Sequence, residues 1–293
     1  MDLRMRNKLI WLVSMAIIST ILLYFQDHYK QLANKHRQIS SSRIIGLPSK
    51  WVGSIFELKD SEPSGITYHP LRKTLFIVSD EGNLYEIRTN GSLIRTEFMG
   101  QEDLEGITVN PTTGFLYAAV EGEDTIIEID PSSFKLTRKF LINRNFEGRE
   151  LLKTGGMGLE AIVFIPNPLH PEGGVFWIGN QSFSLKPNRE PSVICEIVIP
   201  VNSTDMKKEG EIIGFFPSKI IDISGLDYDT SRECLIVVSD TTNLLLEIKL
   251  NGDILHQYLL PGSDQEGIAL DDLGFLYIAQ ENGQIIKIED YRN

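Results

Sequence analysis

Three glutamates open the same short phrase in this chain: Glu105-Gly106-Ile107, Glu160-Ala161-Ile162 and Glu266-Gly267-Ile268. Serine takes the glutamate's place in two further copies, Ser64-Gly65-Ile66 and Ser224-Gly225-Leu226. If the copies are equivalent elements around one axis, their carboxylates converge. Two like charges ~5 Å apart repel by under 1 kcal/mol in bulk water, and by several times that where solvent is partly excluded. A hard cation, carboxyl groups that keep their protons, or a wide wet funnel would each relieve the repulsion. Ca2+ takes about six to eight oxygen ligands and mixes carboxylate, hydroxyl, carbonyl and water, so three glutamates with nearby serines suit it. The expected metal ligands are Glu105, Glu160 and Glu266, with Ser64, Ser224, Glu121 and Glu281 as further lining.

The elements that must position these groups read as strands. Each phrase leads an apolar run, and a second apolar run follows it, ending in an acid or amide at Asp80, Glu121, Gln181, Asp240 and Glu281. All-strand repeats of about 40–50 residues are the signature of propeller blades. The innermost strand of a blade starts at the channel mouth and the second strand returns to that face, which puts both sets of acids at one end. Asp80 and Asp240, each following a serine, read as turn caps that bond backbone N–H groups. Gly or Ala after the phrase's first residue lets inner strands crowd at the axis. The fifth repeat stops at Asn293 without a fourth strand, while the run Trp51-Val52-Gly53-Ser54-Ile55-Phe56-Glu57-Leu58 precedes the first repeat as a spare. Pairing the two would close the ring and cover an exposed edge. The expected fold is therefore all-β, a five-bladed β-propeller over residues 50–293 closed by an N-terminal strand.

Ahead of it, residues 9–25 form an uncharged apolar run that covers about 25 Å as a helix, at the short end of a membrane span. Arg4, Arg6 and Lys8 precede the run, and Trp11, Tyr24 and Phe25 sit where interfacial aromatics belong. A cleaved signal peptide would want a shorter core and small residues at its end, so an uncleaved transmembrane anchor is favoured. Residues 1–8 read as a cytoplasmic tail and 26–49 as a basic stalk, with the body on the extracytoplasmic side. Net charge is −12, and because residues 1–60 carry +5, the remainder carries −17. Such a body repels phosphate backbones, which excludes nucleic acid and favours cations or basic partners. A monomer is expected. Cys195 and Cys234 read as buried small hydrophobes, or as one disulfide between neighbouring repeats.

The Glu-Gly-Ile phrases, the Val-Ser-Asp strand ends at Asp80 and Asp240, and the anchor ahead of a repeat domain together resemble the SdiA-regulated, YjiK-like family of bacterial proteins. That resemblance implies a five-bladed propeller distantly related to NHL repeats, a Ca2+ site, and attachment to the inner membrane of a Gram-negative envelope. It implies no molecular activity. The phrase is also similar to the metal-ligating glutamate of gluconolactonase-like and paraoxonase-like propellers, a role carried over only to Glu105, Glu160 and Glu266.

Two functions follow. One is a membrane-anchored, calcium-binding module that takes a ligand or protein across its mouth. The other is a Ca2+-dependent lactonase or esterase, which needs a general base near the metal. His28 and His36 lie in the stalk, His69 and His170 in turns at the far face, and His256 on an outer strand. None serves the mouth, and no catalytic residue is assigned. Two enlarged connections, 143–157 and 182–191, offer Arg149 and Arg189 either as ligand contacts or as solvated surface.

Overall fold

The computed structural model describes residues 44–59, 61–100, 103–152, 158–185, 192–203 and 209–291. The expected anchor, the tail and the stalk as far as residue 43 lie outside the described residues. No described helix is long and apolar enough to cross a membrane.

Among the described residues the strands are β1 (Ile44–Gly46), β2 (Trp51–Glu57), β3 (Pro63–His69), β4 (Thr74–Ser79), β5 (Asn83–Arg88), β6 (Leu93–Phe98), β7 (Leu104–Val109), β8 (Leu116–Val120), β9 (Thr125–Asp130), β10 (Lys135–Asn143), β11 (Asn145–Phe146), β12 (Arg149–Glu150), β13 (Leu159–Pro166), β14 (Gly174–Asn180), β15 (Val193–Val198), β16 (Glu209–Pro217), β17 (Ile223–Asp229), β18 (Cys234–Ser239), β19 (Leu244–Ile248), β20 (Ile254–Leu259), β21 (Gln265–Leu270), β22 (Leu276–Gln280) and β23 (Gln284–Glu289). They make an all-β, propeller-like array of antiparallel meanders: β3–β6, β7–β10, β13–β16, β17–β20, and β21–β23 with β2. Strand β2 supplies the missing outer strand of the last meander, pairing Trp51 with Glu289 and Glu57 with Gln284. β1, which falls in the span assigned to the stalk, adds in parallel to β20. A second parallel pairing, Leu141–Asn143 with Glu209–Glu211, joins the second and third meanders at their outer edges.

The inner strands touch in chain order, β3 to β7, β7 to β13, β13 to β17, β17 to β21, and β21 back to β3. Apolar residues on both faces of each meander therefore pack between neighbours, and five core clusters fill the five junctions. At one, Tyr117 of β8 meets Phe176 of β14 edge-to-face, 4.9 Å between ring centroids. At the junction of last and first meanders, Ile285 and Tyr277 join Leu58, Ile66 and Ile77. Each such aliphatic or aromatic side chain, fully buried, contributes about 1.5–3 kcal/mol. Cys195 and Cys234 are buried and unbridged, the small-hydrophobe alternative of the two.

At the axis the backbones nearly touch. A Cβ added at Gly65 would lie 2.7 Å from the Glu105 carbonyl oxygen, and one at Gly106 2.7 Å from that of Glu160. Both obstacles are main chain, which cannot swing aside. Gly106→Ala is expected to destabilise the protein by about 1–3 kcal/mol, read as a shift of the urea midpoint. A midpoint equal to wild type would show that the inner strands have slack.

Candidate metal centre

One backbone irregularity builds the mouth. Each inner pair of strands slips register once, between Pro63 and Gly65, Leu104 and Ile107, Leu159 and Ala161, Ile223 and Gly225, and Gln265 and Gly267. The skipped positions include Ser64, Glu105, Glu160, Ser224 and Glu266, so every phrase begins at a β-bulge. A bulge leaves a residue out of the ladder and re-aims its side chain. The sequence phrase is thus the signature of a bulge that Gly or Ala makes room for.

A second repeated contact brings in the outer acids. The backbone N–H that follows the second strand donates to a carbonyl just ahead of the first: Asp80 to Glu62, Glu121 to Asp103, Asp240 to Asp222 and Glu281 to Asp264, at 2.9–3.3 Å. In four of the five meanders this seats two carboxylates side by side. The third meander carries Gly158 and Gln181 at these places and contributes no acid of this kind.

These groups enclose a cavity of about 240 Å3 lined by Glu105, Glu160, Glu266, Glu121 and Glu281, with Glu62, Asp80, Asp103 and Gln181. It has no lysine or arginine in its described lining. Carboxylate oxygens of Asp80, Asp103 and Glu105 lie within 4.8 Å of one another. Glu160 is only 7% exposed. Burial, then the facing carboxylate of Glu160, raises Glu105 far above the usual carboxylate range. Glu160 is raised by burial and by Glu121. Glu266 is pushed up to about 9, by burial and then by Asp240 and Asp222. Asp80 reaches about 7 through burial and the charges of Asp103 and Glu62.

The remaining expected site residues sit elsewhere. The Ser64 hydroxyl donates to the Leu104 carbonyl and that of Ser224 to the Gln265 carbonyl at 2.5 Å, so both stitch neighbouring inner strands. Neither serine lines the cavity, although the Ser64 side chain also bonds the carboxylate of Asp80 at its edge. Arg149 lies on the β11–β12 hairpin with its guanidinium 5.7 Å from the ring of Phe215, on outer strand β16. Arg189 lies outside the described residues. Asp80, read from sequence as a turn cap, lines the cavity instead, and Asp240 accepts at 3.1 Å the N–H of Gln265, which opens the next inner strand and is no part of its own turn. Asp103 and Glu62 were not singled out by the sequence reading. Their signal is position, since each lies two residues ahead of its phrase, immediately before the inner strand begins.

No curated protein matches this chain. Among solved structures the chain is similar to glutaminyl cyclase of Myxococcus xanthus, with a TM-score of 0.57 and 11% identity over 83% of this chain and 95% of that one. At that identity the likeness concerns the fold alone. The family model described as SdiA-regulated matches residues 54–166 and 171–287, which include every phrase and both sets of mouth acids. The chain belongs to the SdiA-regulated family.

Proposed function

We propose that this chain is a five-bladed propeller that binds one Ca2+ ion at its mouth. In this reading it serves as a ligand- or protein-binding module, held on the outer side of the inner membrane by residues 9–25. The observation that carries it is the gathering of Glu105, Glu160, Glu266, Asp80 and Asp103 around one cavity whose described lining holds no cationic side chain. The donor set is all oxygen and mostly carboxylate, which fits a hard cation of variable coordination number better than Zn2+. The ion would replace the protons that the crowded carboxyl groups otherwise retain and would tie inner strands of different blades together.

Calorimetric titration of the metal-free protein with CaCl2 tests this. One saturable site is expected, with affinity lowered at least about 100-fold by Glu105→Gln or Glu160→Gln. Equal affinity in these variants would remove the site from the mouth. A lactone and aryl-ester panel separates module from hydrolase. Turnover that vanishes with EGTA would assign the ion a catalytic role instead.

A further inference from the structure

The other end of the inner strands carries a second cavity, of about 430 Å3, unrelated to the acidic mouth. Equivalent positions from all five repeats line it, and the repeats differ there in an ordered way. Five residues past the phrase's Gly or Ala, the first three repeats have Pro70, Pro111 and Pro166, whereas the fourth and fifth have Thr230 and Asp272. Two residues past it, Thr67, Thr108 and Val163 give way to Asp227. One wall is therefore apolar, completed by Val109 and Phe164, and the opposite sector is acidic.

Two tyrosines bracket that sector. Tyr228 belongs to the fourth meander, Asp271 and Asp272 follow the inner strand of the fifth, and Tyr68 belongs to the first, its neighbour in the ring. The fold fixes these groups before any ligand arrives. Asp227 accepts the Leu270 N–H at 2.6 Å and the Tyr228 N–H at 2.7 Å, and Asp271 accepts the Tyr277 hydroxyl at 2.9 Å. The Tyr68 hydroxyl donates to Asp272 at 3.2 Å, and Lys73 pairs with the same carboxylate from an exposed position outside the lining. No lysine or arginine is among the lining residues.

We propose that this cavity is a second binding site, for a small organic cation: an ammonium group carried on an apolar body. A cavity of this size suits a small molecule. Tyrosine faces and carboxylates attract the ammonium group. The proline, valine and phenylalanine wall takes the apolar part. Asp227 and Asp271, with Asp272 beside them, disfavour an anionic ligand. The site stands independently of calcium at the mouth.

The test is calorimetric titration of the full chain with benzyltrimethylammonium chloride and, separately, with neutral benzyl alcohol. One saturable site is expected for the cation, at least about tenfold tighter than for the alcohol, unchanged between excess CaCl2 and EGTA. Tyr228→Leu and Asp272→Asn should each weaken it about five- to tenfold. Asp272 is exposed, so Asp272→Asn keeps the test open should Tyr228→Leu fail to fold. Equal binding of the two probes, no binding up to about 10 mM, or displacement by CaCl2 would each overturn the proposal, the last by placing the cation in the mouth.

Discussion

Calcium should raise the melting temperature of this protein by about 5–10 °C, and Glu105→Gln should abolish that increment while leaving the metal-free protein at least as stable as wild type. A ligand at 100-fold its Kd adds about 2.7 kcal/mol to the folded state. For a domain of this size 1 kcal/mol corresponds to roughly 2–4 °C. The opposite sign in EGTA follows from the crowding at the mouth. Glutamine keeps the shape of a carboxyl group that already holds its proton there and removes the cost of ever ionising it, whereas at an ordinary hydrogen-bonded site the change would destabilise. The pH axis gives the same contrast. Asp80 and Asp240 are raised to about 7 and Glu266 to about 9, against unfolded values near 4. Between those limits the folded state holds protons that the unfolded chain has released, so metal-free stability falls as pH rises from 5 to 9. Calcium takes the place of the protons and flattens the slope. A Glu105→Gln protein that melts below wild type in EGTA yet still responds to calcium would sink the reading.

The parts of the fold that were legible in sequence are those written in local periodicity. Trp51–Leu58 is a strand-length run without a partner nearby in sequence, and the fifth repeat leaves the outer edge of Gln284–Glu289 uncovered, so their pairing follows from the edge each would otherwise expose. The parallel contact of Leu141–Asn143 with Glu209–Glu211 leaves no such mark, because parallel outer edges meet only once whole meanders are docked. β1 was equally hidden, three residues inside a basic, polar segment. At the mouth, the phrase made Glu105, Glu160 and Glu266 visible because a bulge demands a small residue beside it. Asp80 misled because a serine–aspartate strand end is a common capping signal. Its role depends on Asp103, which belongs to the next repeat. A charge inside an apolar strand was also passed over: Glu86, Glu128, Glu196, Glu247 and Lys287 each hold the fourth place of a meander's third strand.

That overlooked position supports the largest expected loss of stability. Glu247 is 1% exposed, and its carboxylate receives the Arg232 guanidinium at 2.5 Å, His256 Nδ1 at 2.6 Å and the Tyr291 hydroxyl. Tyr291 follows the last strand, so one carboxylate ties the fourth meander to the end of the fifth. Glu86 and Glu128 repeat the design. Arg72 and Arg95 flank the first, and Arg138 with Tyr117 flanks the second. Burial alone would raise both carboxyl groups, but these donors more than offset it and hold them below the usual range. Glu196 is the exception. It is only partly buried, and burial raises it with His170 as the one charge that opposes the rise. Glu247→Ala should therefore cost about 3–5 kcal/mol, because it leaves a guanidinium and a phenol without their shared acceptor, whereas Glu196→Ala should stay near 0.5 kcal/mol. Chemical denaturation of the two variants measures the contrast. Replacing Arg232 and Glu247 together by methionine should recover most of the loss, because an apolar pair of similar volume carries no desolvation penalty. Equal losses at Glu247 and Glu196 would mean that the bracket around Glu247 does not hold the ring's last junction.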